Sequence, residues 1–432
     1  MRQKRSKIYF TKLTIENFRC FGKKQTLNFS QKQNREEACR WNVILGDNGV
    51  GKTSILRALA LSMLDPMDFR YHRFIPWNSF RRSNSKRSPE VGFNAVLNNG
   101  SRTEVDFEIQ LSSSGFEVMH KPENLNAIPP NFYEDLVLYA YGAARRIGSK
   151  SMTNESEFPA ISLFQEDEEL TNVEEWLVRA DYHSLKKDGA KKTRNLIFRA
   201  LRKIMRNEIT SIKIELLDNR TAVLFKTAYG WVPLHELSLG YKTFLAWMVD
   251  FAKGLIERYP ESKDPLSEPA VCLIDEIDLH LHPKLQRDVV SFLLETFKGT
   301  QFIATAHSPL IAQTINDGNL ILVKKKGNQV VVDNNPESVQ NWRIDQILTS
   351  DLFGLSSGHS QNTEELLKER KRILGSRTIS PHDEVKLRQI GESLGDVPVW
   401  ETQVEKDAYS AVDKIAEILE KKGENDPNPQ IS

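Results

Sequence analysis

Apolar and polar positions along this chain change period several times, and each change marks an element. IYFTKL, residues 8–13, opens an alternating stretch that continues through TIENF, and QTLNF follows the turn FGKKQ, predicting two short strands. WNVIL, 41–45, is an apolar run just before a glycine-rich loop and predicts a further strand. From Thr53 the apolar residues Ile55, Leu56, Leu59, Ala60 and Met63 fall at helical spacing. VGFNAVL, TEVDFEIQL and FEVMH, within 91–120, alternate again and are separated by NNG and SSSG, the pattern of an antiparallel meander.

The second half repeats the switch between periods. LVLYAYG, 136–142, reads as a strand, and KKDGAKKTRNLIFRALRKIMR, 186–206, as a basic amphipathic helix. Residues 209–234 return to strand patterns, and 237–259 predicts a helix with Leu237 or Ser238 near its start. PAVCLIDE, 269–276, is a buried strand ending in two carboxylates; KLQRDVVSFLLETF is a helix; QFIATAH is a strand ending in His307. NLILVKKKGNQVVVD predicts a hairpin around Lys326 and Gly327. Beyond about 340 the pattern is helical and charged, with Ser380 and Pro381 at a helix start, and the closing ENDPNPQIS reads as disordered. No internal repeat is visible.

Composition adds limits. A chain of 432 residues can form two or three domains, and 59 Lys plus Arg against 58 Asp plus Glu give no global pull toward nucleic acid or membrane. Three cysteines, Cys20, Cys39 and Cys272, offer no pairing pattern, which suits a reducing compartment. The basic start MRQKRSK leads into a strand pattern, so neither a signal peptide nor a membrane span is expected, and a cytoplasmic location follows.

Candidate chemistry lies between the elements. GDNGVGKT matches GxxxxGK[ST] between a strand and a helix, the context in which such a loop holds phosphate. Backbone N–H groups of Gly46, Asp47, Asn48, Gly49, Val50, Gly51, Lys52, Thr53 and Ser54 can surround phosphate oxygens. Lys52 neutralises β/γ charge, and the Thr53 hydroxyl ligates Mg2+. VCLIDE supplies the second half that phosphoryl transfer needs: Asp275 for Mg2+ and Glu276 to orient or deprotonate the attacking water. His307, at the end of the next strand, is placed to meet the γ-phosphate.

GDNGVGKT, LSLGYK, LIDEIDLHLHP and ATAHS stand in one order, and together they resemble the ATP-binding-cassette (ABC) ATPases, specifically the SMC, RecF and OLD-like branch. ENFRCF, with Arg19, is similar to that branch's N-terminal signature. The resemblance implies an α/β fold: an ABC ATPase head of the P-loop NTPase type, with a mixed sheet plus antiparallel β meander, a helical insertion and a helical C-terminal region. It divides the chain into the first part of the head (1–150), a helical arm (151–206), the second part of the head (207–340) and a C-terminal partner-docking region (341–432). It further implies a homodimer, or a higher oligomer built from such dimers, with ATP between subunits and Ser238 and Gly240 of one copy facing the γ-phosphate held by the other.

The departures are Leu239 and Tyr241 where transporters have LSGGQ, at positions that line the dimer interface, and His282 where SMC-like proteins carry aspartate. His280 and His282 lack a third ligand nearby, so a metal role is not expected of them. The glutamine that links such a site to its insertion has no clear counterpart; the region of Arg145 and Arg146 and the alternative Gln165 stay open. LSLGYKTFLAWMVD, LIDEIDLHLHPKLQ and ILTSDLFGLSS resemble the PtuA-like ATPase subunits of bacterial anti-phage systems, Septu and retron-associated, which implies a separate HNH-type nuclease as partner. No long heptad tract and no Toprim-like acidic set are present, so the chain itself is not expected to cut nucleic acid. TEELLKERKRIL and VEKDAYSAVDKIAEILEKK are candidate docking helices, or pack on their own head.

Arg70 to Arg87, interleaved with Phe69, Tyr71, Phe74, Trp77 and Phe80, and Lys186 to Arg206 offer DNA or RNA contacts through cations and stacking, or else are solvated faces balanced by the acidic run 166–175. Three functions therefore compete: an ATPase that regulates a partner effector, a RecF-like ATPase that tethers DNA, and a nucleotide-stabilised scaffold with very slow turnover.

Overall fold

The computed structural model describes residues 6–394, apart from 32–36, 67–68, 83–84, 99–101, 114, 120–128, 130, 150–157, 187–193, 196, 203–204, 206–208, 218–219, 316–317, 356–358 and 376–379. The chain divides into two compact units, residues 1–355 and 356–432.

Among the described residues the first unit holds three sheets. A six-stranded sheet has the order β14-β13-β3-β12-β11-β7, formed by Gln329–Asp333, Asn319–Lys326, Trp41–Gly46, Thr300–Thr305, Ala270–Ile274 and Leu138–Tyr141. All pairs are parallel except the β13–β14 hairpin. Its central strands are apolar throughout because both faces are covered. Trp41, Val43, Cys272 and Phe302 enter the core on one side, and Ile44, Val271, Leu273 and Ile303 enter the core on the other.

The predicted meander is part of a larger antiparallel sheet, β2-β1-β4-β5-β6. Its strands are Gln25–Asn28, Lys7–Glu16, Glu90–Asn98, Arg102–Leu111 and Phe116–Met119. Here polar and buried residues alternate along β1 and β5, since one face alone meets the core. A third sheet, β10-β9-β8, uses Gly230–Pro233, Arg220–Thr227 and Ser211–Leu217.

The helix Lys52–Ala60 follows β3, Leu239–Arg258 follows the third sheet, and Pro283–Thr296 joins β11 to β12. Val173–Lys186 lies in the predicted arm; of the basic stretch 186–206, residues 197–202 are helical and the larger part lies outside the described residues. In the second unit, Gln361–Leu374 and Pro381–Leu394 enclose Ile373, Ile390 and Leu394, and Lys386 and Arg372 both bind Glu369. Ser380 accepts from the Asp383 N–H, the cap that its sequence predicts. The candidate docking helix VEKDAYSAVDKIAEILEKK and the closing ENDPNPQIS lie outside the described residues. No described helix is long and apolar enough to cross a membrane.

Candidate functional site

The parallel sheet brings GDNGVGKT, the two carboxylates and His307 to one edge, since β3, β12 and β11 are neighbours and all three motifs follow their C-terminal ends. The glycine loop is shaped by close approach. A Cβ on Gly46 would lie 2.3 Å from the Val323 carbonyl, and one on Gly51, whose φ is +95°, would lie 2.3 Å from Cys20 Sγ. Asp47, Asn48 and Gly49 are exposed, so the loop's outer side is open to a ligand. Lys52 is buried, and its Nζ donates to the carbonyls of Gly46 (2.8 Å) and Asp47 (2.9 Å). Burial lowers its pKa, while Asp275, Glu276, Asp278 and Asp47 pull it back up.

Asp275 is 4% exposed and fully engaged. Its Oδ2 accepts from Thr53 Oγ1 at 2.7 Å, its Oδ1 from Thr305 Oγ1 at 2.6 Å, and its N–H donates to the Tyr141 carbonyl at 2.8 Å. The same Thr305 hydroxyl accepts from the Glu276 N–H at 2.7 Å. Glu276 has a left-handed φ of +48°, so the chain turns sharply after the strand. Asp278 accepts from the His307 N–H at 2.9 Å through Oδ2, while its buried Oδ1 has no partner among the described residues. Thr53 and Asp275 form an all-oxygen donor pair, a hydroxyl and a carboxylate in contact, which fits a hard cation such as Mg2+.

ENFRCF folds as a turn over this loop. Arg19, at φ +51°, donates its N–H to Phe80, and Cys20 Sγ contacts the Val50 carbonyl at 3.4 Å. Arg82 holds the Cys20 carbonyl, and Arg57 donates to the Leu163 carbonyl at 2.8 Å. Burial lowers the Arg57 pKa, and the positive charge of Arg19 lowers it further.

Ser238 is the N-cap of Leu239–Arg258, but its side chain makes no capping hydrogen bond and is exposed. Leu239 beside it is 54% exposed, whereas Tyr241 is buried in its own chain's core, which leaves Leu239 as the outward-facing member of that pair. Gly240 has a packing reason within the chain: a Cβ there would lie 2.1 Å from the His280 carbonyl, so the helix start sits directly on the turn that follows Glu276. His282 caps the helix Pro283–Thr296, its Nδ1 accepting from the Lys284 N–H.

Sequence reasoning missed Thr305, Asp278, Arg57 and Arg82 as members of this cluster. It also missed Asp250, buried in Leu239–Arg258, which accepts from Tyr141 Oη (2.8 Å) and Thr171 Oγ1 (2.6 Å) and ties that helix to β7 and to the start of Val173–Lys186. The basic aromatic stretch is mostly packing. Tyr71 and Phe74 stack on Phe158, Trp77 on Phe116 and Phe80 on Phe18, leaving Phe69, at 70% exposure, as the ring of the five that faces outward.

A family profile described as "AAA domain, putative AbiEii toxin, Type IV TA system" matches residues 41–312. The chain is 24% identical to a Septu protein PtuA of Bacillus mycoides (strain KBAB4) over 419 residues, 94% of this chain and 53% of that protein. It is 33% identical to a Retron Ec83 probable ATPase of Escherichia coli over 187 residues, 40% of this chain and 34% of that one. The chain thus spans about half the length, or less, of these curated relatives. Among solved structures, an SMC head bound to the C-terminal winged-helix domain of ScpA matches with TM-score 0.45 and 19% identity, over 75% of this chain and 97% of that one.

Proposed function

The chain belongs to the AAA-domain family whose profile covers residues 41–312, and from that premise we propose that it is an ATPase that closes as a dimer over ATP and Mg2+. The observation that carries this reading is the joining of the glycine loop to the strand-end carboxylates, with Thr53 Oγ1 2.7 Å from Asp275. Lys52 exchanges its two carbonyl acceptors for phosphate oxygens, and the loop N–H groups hold the β-phosphate. Thr53 and Asp275 would hold Mg2+, which when bound would supply positive charge to the transferring phosphoryl group. Glu276 orients the attacking water and takes its proton as the water oxygen bonds to the γ-phosphorus and ADP leaves, and His307 faces that phosphate. Ser238, with a hydroxyl not spent on its own helix, contributes from the second copy. Arg19 contacts the nucleotide from the turn above the loop.

The relatives named Septu and retron support a place in anti-phage defence. There the ATPase dimer would hold and restrain a separate HNH-type nuclease, and the helical segment beyond 341 offers the docking surface. Packing of four of the five aromatics in 69–80 removes most of the stacking surface that a nucleic-acid-tethering reading needs.

Hydrolysis of ATP with Mg2+ is the test, measured beside Glu276→Gln. The variant should bind a fluorescent ATP analogue as the parent does and lose turnover by about 10²–10³-fold. A parent no faster than Glu276→Gln would overturn the ATPase reading and leave a nucleotide-stabilised scaffold.

A further inference from the structure

Glu276 sits in a backbone conformation that a residue with a side chain avoids, so its surroundings must impose it. Both sides of the residue are pinned. Its N–H is held by Thr305, and its carbonyl accepts from Arg145 Nη2. Arg145 is itself left-handed, at φ +36°, and is 3% exposed. The next residue, Arg146, is exposed and joined by its backbone to the segment around Glu169, so of the two adjacent arginines only the first turns into the site.

Arg145 lies among the three carboxylates of the site. Burial pulls its pKa down to about 10, and Asp275, Asp278 and Glu276 oppose that pull, so it remains a cation at neutral pH. Its Nε is buried without a partner among the described residues, as is Asp278 Oδ1, although buried polar atoms are nearly always hydrogen-bonded. One guanidinium thus fastens the Glu276 carbonyl and still has a free donor inside the cluster.

We propose that Arg145 is the positioning residue for Glu276: by holding the Glu276 carbonyl it fixes the left-handed turn that aims the Glu276 carboxylate at the attacking water. This rests on the ATPase reading for the water, but not for the turn. A guanidinium suits the task because it can donate to a carbonyl from one nitrogen while its charge faces carboxylates from others.

Arg145→Met tests it, with two readouts. In a crystal structure of the variant, Glu276 should leave the left-handed region. In solution, kcat should fall by about 10²-fold through misplacement of the base, with the Kd for a fluorescent ATP analogue within about threefold of the parent. Arg145→Lys keeps a cation among the carboxylates and so protects the fold. It should show the same displacement in smaller degree and a kcat about tenfold above that of Arg145→Met. Glu276 remaining left-handed in both variants, or nucleotide affinity falling in step with kcat, would overturn the proposal. A parent without turnover would count against the ATPase reading alone, because the Glu276 backbone would still decide the role of Arg145.

Discussion

The turn Glu276–Leu281 separates two regions that differ in how far each is finished within the chain. On one side, Asp275 has both carboxylate oxygens and its N–H engaged, Glu276 is pinned at N–H and carbonyl, and Lys52 is folded against its own loop. On the other, the helix Leu239–Arg258 starts at an exposed Ser238 that caps nothing, followed by an exposed Leu239. Gly240 locks that helix onto the turn, so the serine is rigidly placed as well as outward-facing. Rigid placement of a polar side chain that makes no capping hydrogen bond among the described residues fits a role in contacting something outside the chain, and a second copy's nucleotide is the proposed partner.

This contrast can be broken at several points, and the glycine loop should show the largest effect. Lys52→Ala removes the charge proposed to meet the phosphates; ATP affinity should drop measurably in an equilibrium titration and turnover by about 10³-fold. If Lys52→Ala retains both, the loop does not hold the nucleotide. Glu276→Gln comes next, separating binding from turnover as described above. Thr305→Val should have the smallest effect. It keeps the shape but deletes the hydroxyl shared by Asp275 and the Glu276 N–H, for a loss of about 2 kcal/mol in urea denaturation and about tenfold in kcat. An unchanged kcat in a destabilised Thr305→Val would mean that the hydroxyl serves folding alone.

The finished region was partly legible in the sequence and the reasons are local. GDNGVGKT lies between a strand and a helix, and VCLIDE is an apolar run ending in two acids, so motif and context coincide. Thr305 was not legible because its place depends on pairing: Ile274 lies opposite Ala304 in the parallel register, which sets the next pair, Asp275 and Thr305, side by side across 30 positions of sequence. The sequence places Arg145 only in the region where the linking glutamine is expected, and its inward turn depends on a left-handed backbone that no spacing reveals. The packing of the aromatics at 69–80 is likewise not legible from spacing. Interleaving with arginine leaves a stacking face and a plain surface both open, and the segment folds so that Tyr71, Phe74, Trp77 and Phe80 pack against Phe158, Phe116 and Phe18. Joining β1 and β2 to the meander also needed long-range pairing that alternation alone does not specify.

Mixing two inactive variants tests the central claim most directly. Lys52→Ala lacks a working loop but keeps Ser238, and Ser238→Arg keeps the loop but presents a bulky cation where the serine should meet phosphate. If each ATP lies between two copies, neither variant alone turns over ATP. An equal mixture should then regain about a quarter of parental turnover, because half the randomly paired dimers carry one intact composite site of two. Turnover by Ser238→Arg alone, or no recovery on mixing when subunit exchange is verified, would contradict the account.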